Sequence, residues 1–152
     1  MSKPFVAILM GSDSDLPVMQ TTLDVLKKLE VPFEVKITSA HRTPQRTHEY
    51  VKDADQRGCA VFIGAAGLAA HLAGTVAGLT VKPVIGVPMD AGPGGIPVAS
   101  VAIGKAGAKN AAYLAAQMMA LSDESLAKRL LQDREDNAKA IAEKDAELQK
   151  SL

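Results

Sequence analysis

Within the run SAHRTP, Ser39 to Pro44, an imidazole at His41 stands beside a guanidinium at Arg42. Histidine changes charge near neutral pH, and a fixed cation next to it suits proton transfer on an anionic substrate. A second set, MGSDSD from Met10 to Asp15, offers Gly11 for a tight turn, the Ser12 and Ser14 hydroxyls as donors to phosphate oxygens, and Asp13 and Asp15 as acceptors for sugar hydroxyls. The same Ser-Asp pattern also suits helix capping, and its spacing matches neither a Walker A loop nor a Rossmann fingerprint. A third set, IGAAGLAAHLAG from Ile63 to Gly74, supplies Gly64 and Gly67 for close backbone approach to a ligand. His71 falls near a helix start there, where a capping hydrogen bond and a ligand contact are equally open. Helix-borne His48 is expected to be solvated. The three histidines lack the spacing of a zinc or iron site and Cys59 does not complete one, so no metal is expected. No aromatics stand in these loops to sandwich a flavin, which argues against that cofactor. A phosphate-accepting Asp after the third strand, the mark of a response-regulator receiver, is replaced by Gly64 and Ala65.

Short apolar runs that alternate with helical patterns must position these groups. Strands are expected at Phe5 to Met10, Phe33 to Ile37, Ala60 to Ile63, Val84 to Val87 and Val98 to Ile103, and their near-continuous apolar character suits a parallel sheet covered on both faces. Leu16, Met19, Leu23 and Leu26 recur at helical spacing after Pro17; a second helix runs from Pro44 to about Arg57, ending at Gly58, and a third from Ala69 to Leu79. The reading is an α/β, flavodoxin-like three-layer αβα sandwich of about five parallel strands ordered 2-1-3-4-5. In that order the loops after Met10, Ile37 and Ile63 converge on one crevice, at the carboxyl ends of the strands.

The C-terminal third differs. NAAYLAAQMMAL, Asn110 to Leu121, is apolar nearly all round and calls for burial on more than one side. From Ser122 a long charged helix carries only Leu126, Leu130, Ile141 and Leu148 as an apolar stripe, too long for this domain to cover, so part of it is expected to reach a neighbouring subunit. The organisation is one domain: a catalytic part over 1–121 and a C-terminal helix over 122–152. The 152 residues carry 17 Lys and Arg against 17 Asp and Glu, which removes the broad basic face of a nucleic-acid binder and favours a small-molecule ligand. A single cysteine forbids an internal disulfide, and the short apolar run before Gly11 suits neither a signal peptide nor a membrane span. A cytoplasmic protein is expected.

GSDSD, SAHRTP and AAGLAAHLAG, followed by KPVIGVP (Lys82 to Pro88) and GGIPVASVAIGKAGAKNAAYLAAQ (Gly94 to Gln117), resemble the N5-carboxyaminoimidazole ribonucleotide mutase family of purine biosynthesis (PurE, class I). The resemblance implies a flavodoxin-like subunit of an octamer that interconverts N5-carboxyaminoimidazole ribonucleotide and 4-carboxy-5-aminoimidazole ribonucleotide with no cofactor. It also implies a functional coupling to the ATP-dependent N5-carboxyaminoimidazole ribonucleotide synthetase. By matching positions His41 would be catalytic, Ser12, Asp15 and Arg42 would bind the ribose phosphate, and Ser39, Ala40, Gly67 and His71 would line the pocket. Two other readings stand beside it: a direct aminoimidazole ribonucleotide carboxylase using carbon dioxide, whose family typically has Lys where Arg42 stands, and a non-catalytic nucleotide-binding module of the same fold. The chain departs from the family in two places. Only MDAGP, Met89 to Pro93, separates VIGVP from GGIPVA where the family carries a longer segment including a run like DSLLSIVQMP, and the family's GAGGAAHLPG reads AAGLAAHLAG.

Overall fold

The computed structural model describes residues 3–65, 72–87 and 98–152. The elements run β1 (Phe5–Met10), α1 (Leu16–Lys28), β2 (Phe33–Ile37), α2 (Pro44–Gln56), β3 (Cys59–Ala65), α3 (Leu72–Leu79), β4 (Val84–Val87), β5 (Ala99–Ser100), α4 (Gly104–Ala120) and α5 (Glu124–Ser151). The five strands form one all-parallel sheet in the order β2-β1-β3-β4-β5, as expected. All six residues of β1 are buried, and the two-residue period of a strand sends them to opposite layers. Val6, Ile8 and Met10 join a core with Met19, Leu23 and Leu26 of α1 and Ala108, Ala111, Ala112, Ala115 and Ala116 of α4. Phe5, Ala7 and Leu9 join another with Val51 and Ala54 of α2 and Leu72, Val76 and Ala77 of α3. The alanines of α4 explain how a core with few aromatics closes: small side chains let helices approach α1 and the sheet closely.

The fifth strand is shorter than the expected Val98 to Ile103. Pairing stops at Ser100 because the backbone turns at Ala102, where φ is +129°, to enter α4 at Gly104, where φ is +64°. Gly107 in the first turn packs against that bend, and a Cβ there would lie 2.1 Å from the Ala102 carbonyl oxygen. The helix therefore begins six residues before Asn110. Only eleven residues, 88–98, join β4 to β5, short for a parallel crossover, which ordinarily takes a dozen or more.

The apolar stripe of α5 divides in two. Leu126 and Leu130 are 1% and 8% exposed against α4 and α1, whereas Ile141 and Leu148 are 68% and 55% exposed. Burial of the first pair stabilises by about 1.5–3 kcal/mol per side chain. Asp133 is the last buried residue of the helix. Its carboxylate accepts from Tyr113 Oη at 2.5 Å and from Asn137 Nδ2 at 3.3 Å, and it pairs with Lys28 of α1. Burial pushes the Asp133 pKa up, but the Lys28 and Tyr113 hydrogen bonds outweigh it and hold the carboxyl below its usual value. Lys28 is correspondingly raised, chiefly by its bond to Asp133. A depressed carboxyl contributes stability above its unfolded pKa near 4, and that contribution is lost as pH falls through the lower folded value. Asp133→Asn should therefore cost about 1–3 kcal/mol at pH 7, discounted because Lys28 is half exposed. The difference from wild type, read by urea unfolding, should shrink as the pH falls below the unfolded carboxyl value near 4.

Candidate active site at the carboxyl end of the sheet

Two backbone hydrogen bonds beyond the ladder knit the ends of three strands. The Thr38 N–H donates to the Met10 carbonyl at 2.8 Å, and the Gly11 N–H donates to the Ala65 carbonyl at 2.9 Å. The loops after β1, β2 and β3 thus leave the sheet together, and α1 and α2 present their N-termini to the same end, where their dipoles favour an anion.

The β1 loop is a capping box. Ser12 Oγ accepts from the Ser14 N–H at 3.2 Å while the Asp15 carboxylate accepts from the Ser12 N–H at 3.2 Å, around a single 3-10 turn at Asp13–Asp15. Ser14 Oγ donates to Ser12 Oγ at 3.0 Å, and Ser12 Oγ donates to Asp13 at 3.2 Å. The capping is therefore observed, and the same hydroxyls and carboxylates lie at or near the surface.

The β2 loop is a turn over Ala40–Arg42, held by its own side chains. The Thr43 N–H donates to the Ser39 carbonyl at 2.9 Å, the Ser39 N–H donates to Thr43 Oγ1 at 2.9 Å, and the Arg42 N–H donates to Ser39 Oγ at 3.1 Å. Ser39 and Ala40 are half-buried, and His41 and Arg42 are exposed. Arg42 Nη2 reaches across to donate to the Gly11 carbonyl at 3.3 Å, so the guanidinium spans the gap between the first two loops.

At the end of β3, α3 presses on the strand so closely that a Cβ on Gly64 would lie 2.9 Å from the Ala73 Cα and 3.0 Å from its Cβ. Gly67 and His71 lie outside the described residues. Ser12, Asp15, Ser39, Ala40, His41 and Arg42 therefore share one end of the sheet. His48 is exposed on α2, as expected of a solvated side chain. Cys59 begins β3 at the opposite end, fully buried, and burial pushes its thiol up to about 12, so it holds its proton near neutrality. Among the described residues no three His, Cys, Asp or Glu side chains gather as metal ligands. A cavity of about 790 Å³, lined by Pro4, Pro32, Pro83, Met118, Met119 and Arg129 among others, also lies at the amino end, away from these loops. Sequence reasoning missed Thr38, Thr43 and Thr47, whose hydroxyls shape the turn; the signal was three threonines spaced five and four apart across a strand-to-helix junction.

The AIR carboxylase family model matches residues 5–140. The N5-carboxyaminoimidazole ribonucleotide mutase of Bacillus subtilis (strain 168) is 44% identical over 160 residues, covering 96% of this chain and 99% of that protein. The mutase of the same name from Synechocystis sp. is 47% identical over 97% of this chain and 90% of that protein. Two crystal structures of Treponema denticola PurE proteins superpose with TM-scores of 0.87 and 0.85 at 29% and 30% identity, covering 97% and 96% of this chain and 99% of each. The match of 160 residues exceeds the 152 of this chain, so the Bacillus protein carries residues with no counterpart here.

The packing of Gly64 yields a direct expectation. Gly64→Ala must push α3 from the sheet, since the clashing atoms are backbone and Cβ rather than the end of a flexible side chain. It should cost about 1–3 kcal/mol in chemical unfolding.

Proposed function

We propose that this chain, which belongs to the AIR carboxylase family, is an N5-carboxyaminoimidazole ribonucleotide mutase working through the turn that carries His41 and Arg42. The observation that supports the site assignment is Arg42 Nη2 donating to the Gly11 carbonyl at 3.3 Å, which brings a cation from the loop of His41 to the loop of Ser12 and Asp15. Among the described residues that guanidinium donates to a neutral carbonyl. A ribonucleotide phosphate offers it a charge-assisted bidentate bond instead, with Ser12 and the helix starts as further donors and Asp15 accepting from the ribose phosphate moiety.

The reaction moves a carboxylate from an exocyclic nitrogen to carbon 4 of the same imidazole. Breaking the N–C bond of the carbamate releases carbon dioxide and leaves the electron pair on nitrogen, which takes a proton. Carbon 4 then attacks the retained gas, a C–C bond forms, and the proton on that carbon leaves. One proton is gained and one lost, so a single imidazole suffices: His41 donates in the first step and accepts in the second. Ser39 and Ala40 line the pocket and help exclude the water that would intercept the intermediate. The fixed phosphate keeps the ring within reach of His41.

Assembly and setting follow from the same reading. Residues 134–151 are exposed along a helix of 28 residues, about 42 Å long, and the stripe of Ile141 and Leu148 suits a second copy of this chain. A homo-oligomer, an octamer by family, acting in the cytoplasm on a carbamate supplied by the ATP-dependent synthetase is the arrangement we propose. No described helix is long and apolar enough to cross a membrane.

Conversion of N5-carboxyaminoimidazole ribonucleotide to the 4-carboxy isomer without ATP tests the reading, because a binding module would give a thermal shift and no product. His41→Asn should lower kcat by roughly 10²- to 10⁴-fold with little loss of nucleotide affinity. Arg42→Ala should chiefly weaken product binding in isothermal titration, more than Ser12→Ala does. Wild-type rate in the His41 variant would remove that residue from the mechanism. Truncation after Asn137, which spares the Asp133 cluster, should leave a folded chain of smaller mass by light scattering; an unchanged assembly would show that the exposed helix makes no subunit contact.

A further inference from the structure

Beneath the turn that carries His41 and Arg42 lie two hydroxyls that solvent does not reach: Thr38 is 3% exposed and Thr47 0%. A buried hydroxyl without a partner costs about 1–3 kcal/mol, so their protons must be placed. Thr38 Oγ1 and Thr47 Oγ1 are 2.7 Å apart, Thr47 Oγ1 donates to the Thr43 carbonyl at 3.2 Å, and Thr43 Oγ1 donates to the Ser39 carbonyl at 3.1 Å while accepting the Ser39 N–H at 2.9 Å. Each hydroxyl has one proton, and these three bonds are satisfied when Thr38 donates to Thr47, Thr47 to the Thr43 carbonyl and Thr43 to the Ser39 carbonyl, which leaves the 3.2 Å contact between Thr38 Oγ1 and Thr43 Oγ1 without a proton. The chain of bonds starts in the layer between β2 and the first turns of α2 and ends at Ser39, whose hydroxyl accepts the Arg42 N–H at 3.1 Å.

Four residues, Ser39 to Arg42, are thus closed at both ends onto a buried anchor. Ordinary helix capping does not require this, since the Thr43 side chain makes no capping bond to α2 and its hydroxyl is spent on the turn instead. Nor does core packing, which a Val at either threonine position would serve as well in volume. The polar pair makes one loop geometry cheaper than its neighbours.

We propose that Thr38 and Thr47 are positioning residues, which act through Thr43 and Ser39 to hold the turn so that His41 and Arg42 point into the crevice; the catalytic consequence rests on the mutase reading above. A displacement of about 1 Å at a reacting group can cost 10²-fold in rate, so the anchor has leverage without touching substrate. Thr47→Val keeps the shape of the side chain, and the Thr38 hydroxyl can turn to Thr43 Oγ1, 3.2 Å away, so it is not orphaned.

The test compares wild type, Thr47→Val and Thr47→Ser as full-length protein. The expected result is a fall of roughly ten- to a hundred-fold in kcat/KM for the valine variant, with most of it recovered by serine, which restores the hydroxyl. The urea midpoint should move little. A lowered midpoint with unchanged kcat/KM would make the pair merely structural and overturn the proposal, as would serine failing to rescue. Amide hydrogen exchange at Ser39 and Arg42 separates this inference from the mutase reading. If the wild type shows no turnover but valine speeds exchange at those amides and serine does not, the anchor stands and the mutase reading falls. If valine leaves their exchange unchanged, the anchor falls whatever the chain catalyses.

Discussion

Burial of β1 on both faces is the constraint from which the rest of the structure follows. Its six residues lie between two helical layers, so a shift of one residue would exchange Val6, Ile8 and Met10 with Phe5, Ala7 and Leu9 and mismatch both cores at once. That burial sets the register of β2 on one side and β3 on the other. Fixed register in turn places Thr38 beside Met10 and Ala65 beside Gly11, and the two hydrogen bonds between them bring the loops to a common mouth. The separation between Arg42 and the Ser12 loop is therefore set by a strand whose side chains all point away from the site.

The two ends of the sheet are put to different uses. The carboxyl end gathers exposed polar groups, helix N-termini and a guanidinium, while the amino end carries Cys59 with a thiol held protonated by burial. The edge strand β2 adds a surface lattice of its own: Arg57 pairs with both Glu34 and Asp53, and the Glu34 carboxyl is held below its usual value first by that guanidinium. Such exposed pairs contribute little to stability, but this one ties the end of α2 to β2 and so frames the turn from its far side. On the opposite layer Asp133 joins α1, α4 and α5 at one buried carboxylate and sets the direction in which the remaining helix leaves the domain.

Much of this was legible in the residues. Continuous apolar runs marked four of the five strands to within two residues, Pro17 and Pro44 marked helix starts, and the strand order followed from the general preference of such sheets. SAHRTP and GSDSD marked the carboxyl end of the sheet because each follows an apolar run of strand length and precedes a helical pattern. Beyond Ser100 the reading failed, since Val101 and Ile103 have strand-like side chains and nothing local reports that Ala102 takes a positive φ to fit Gly107 beneath it. The stripe of α5 gave no sign of where burial stops, because Leu130 and Ile141 are alike as residues and differ only in what lies opposite them.

By itself the amino-acid order determined the class of fold, the ends of most elements and which short runs could do chemistry, because periodicity and turn residues act over a few positions and need no partner. Only the tertiary structure decided which hydroxyl serves which carbonyl in the Thr38, Thr43 and Thr47 chain, that Arg42 spans to Gly11, and that a carboxylate on the last helix meets a lysine on the first. Those contacts join residues that pack together because β1 is buried on two sides, and hydrogen-bond geometry is decided at tenths of an ångström. No spacing along the chain carries that information.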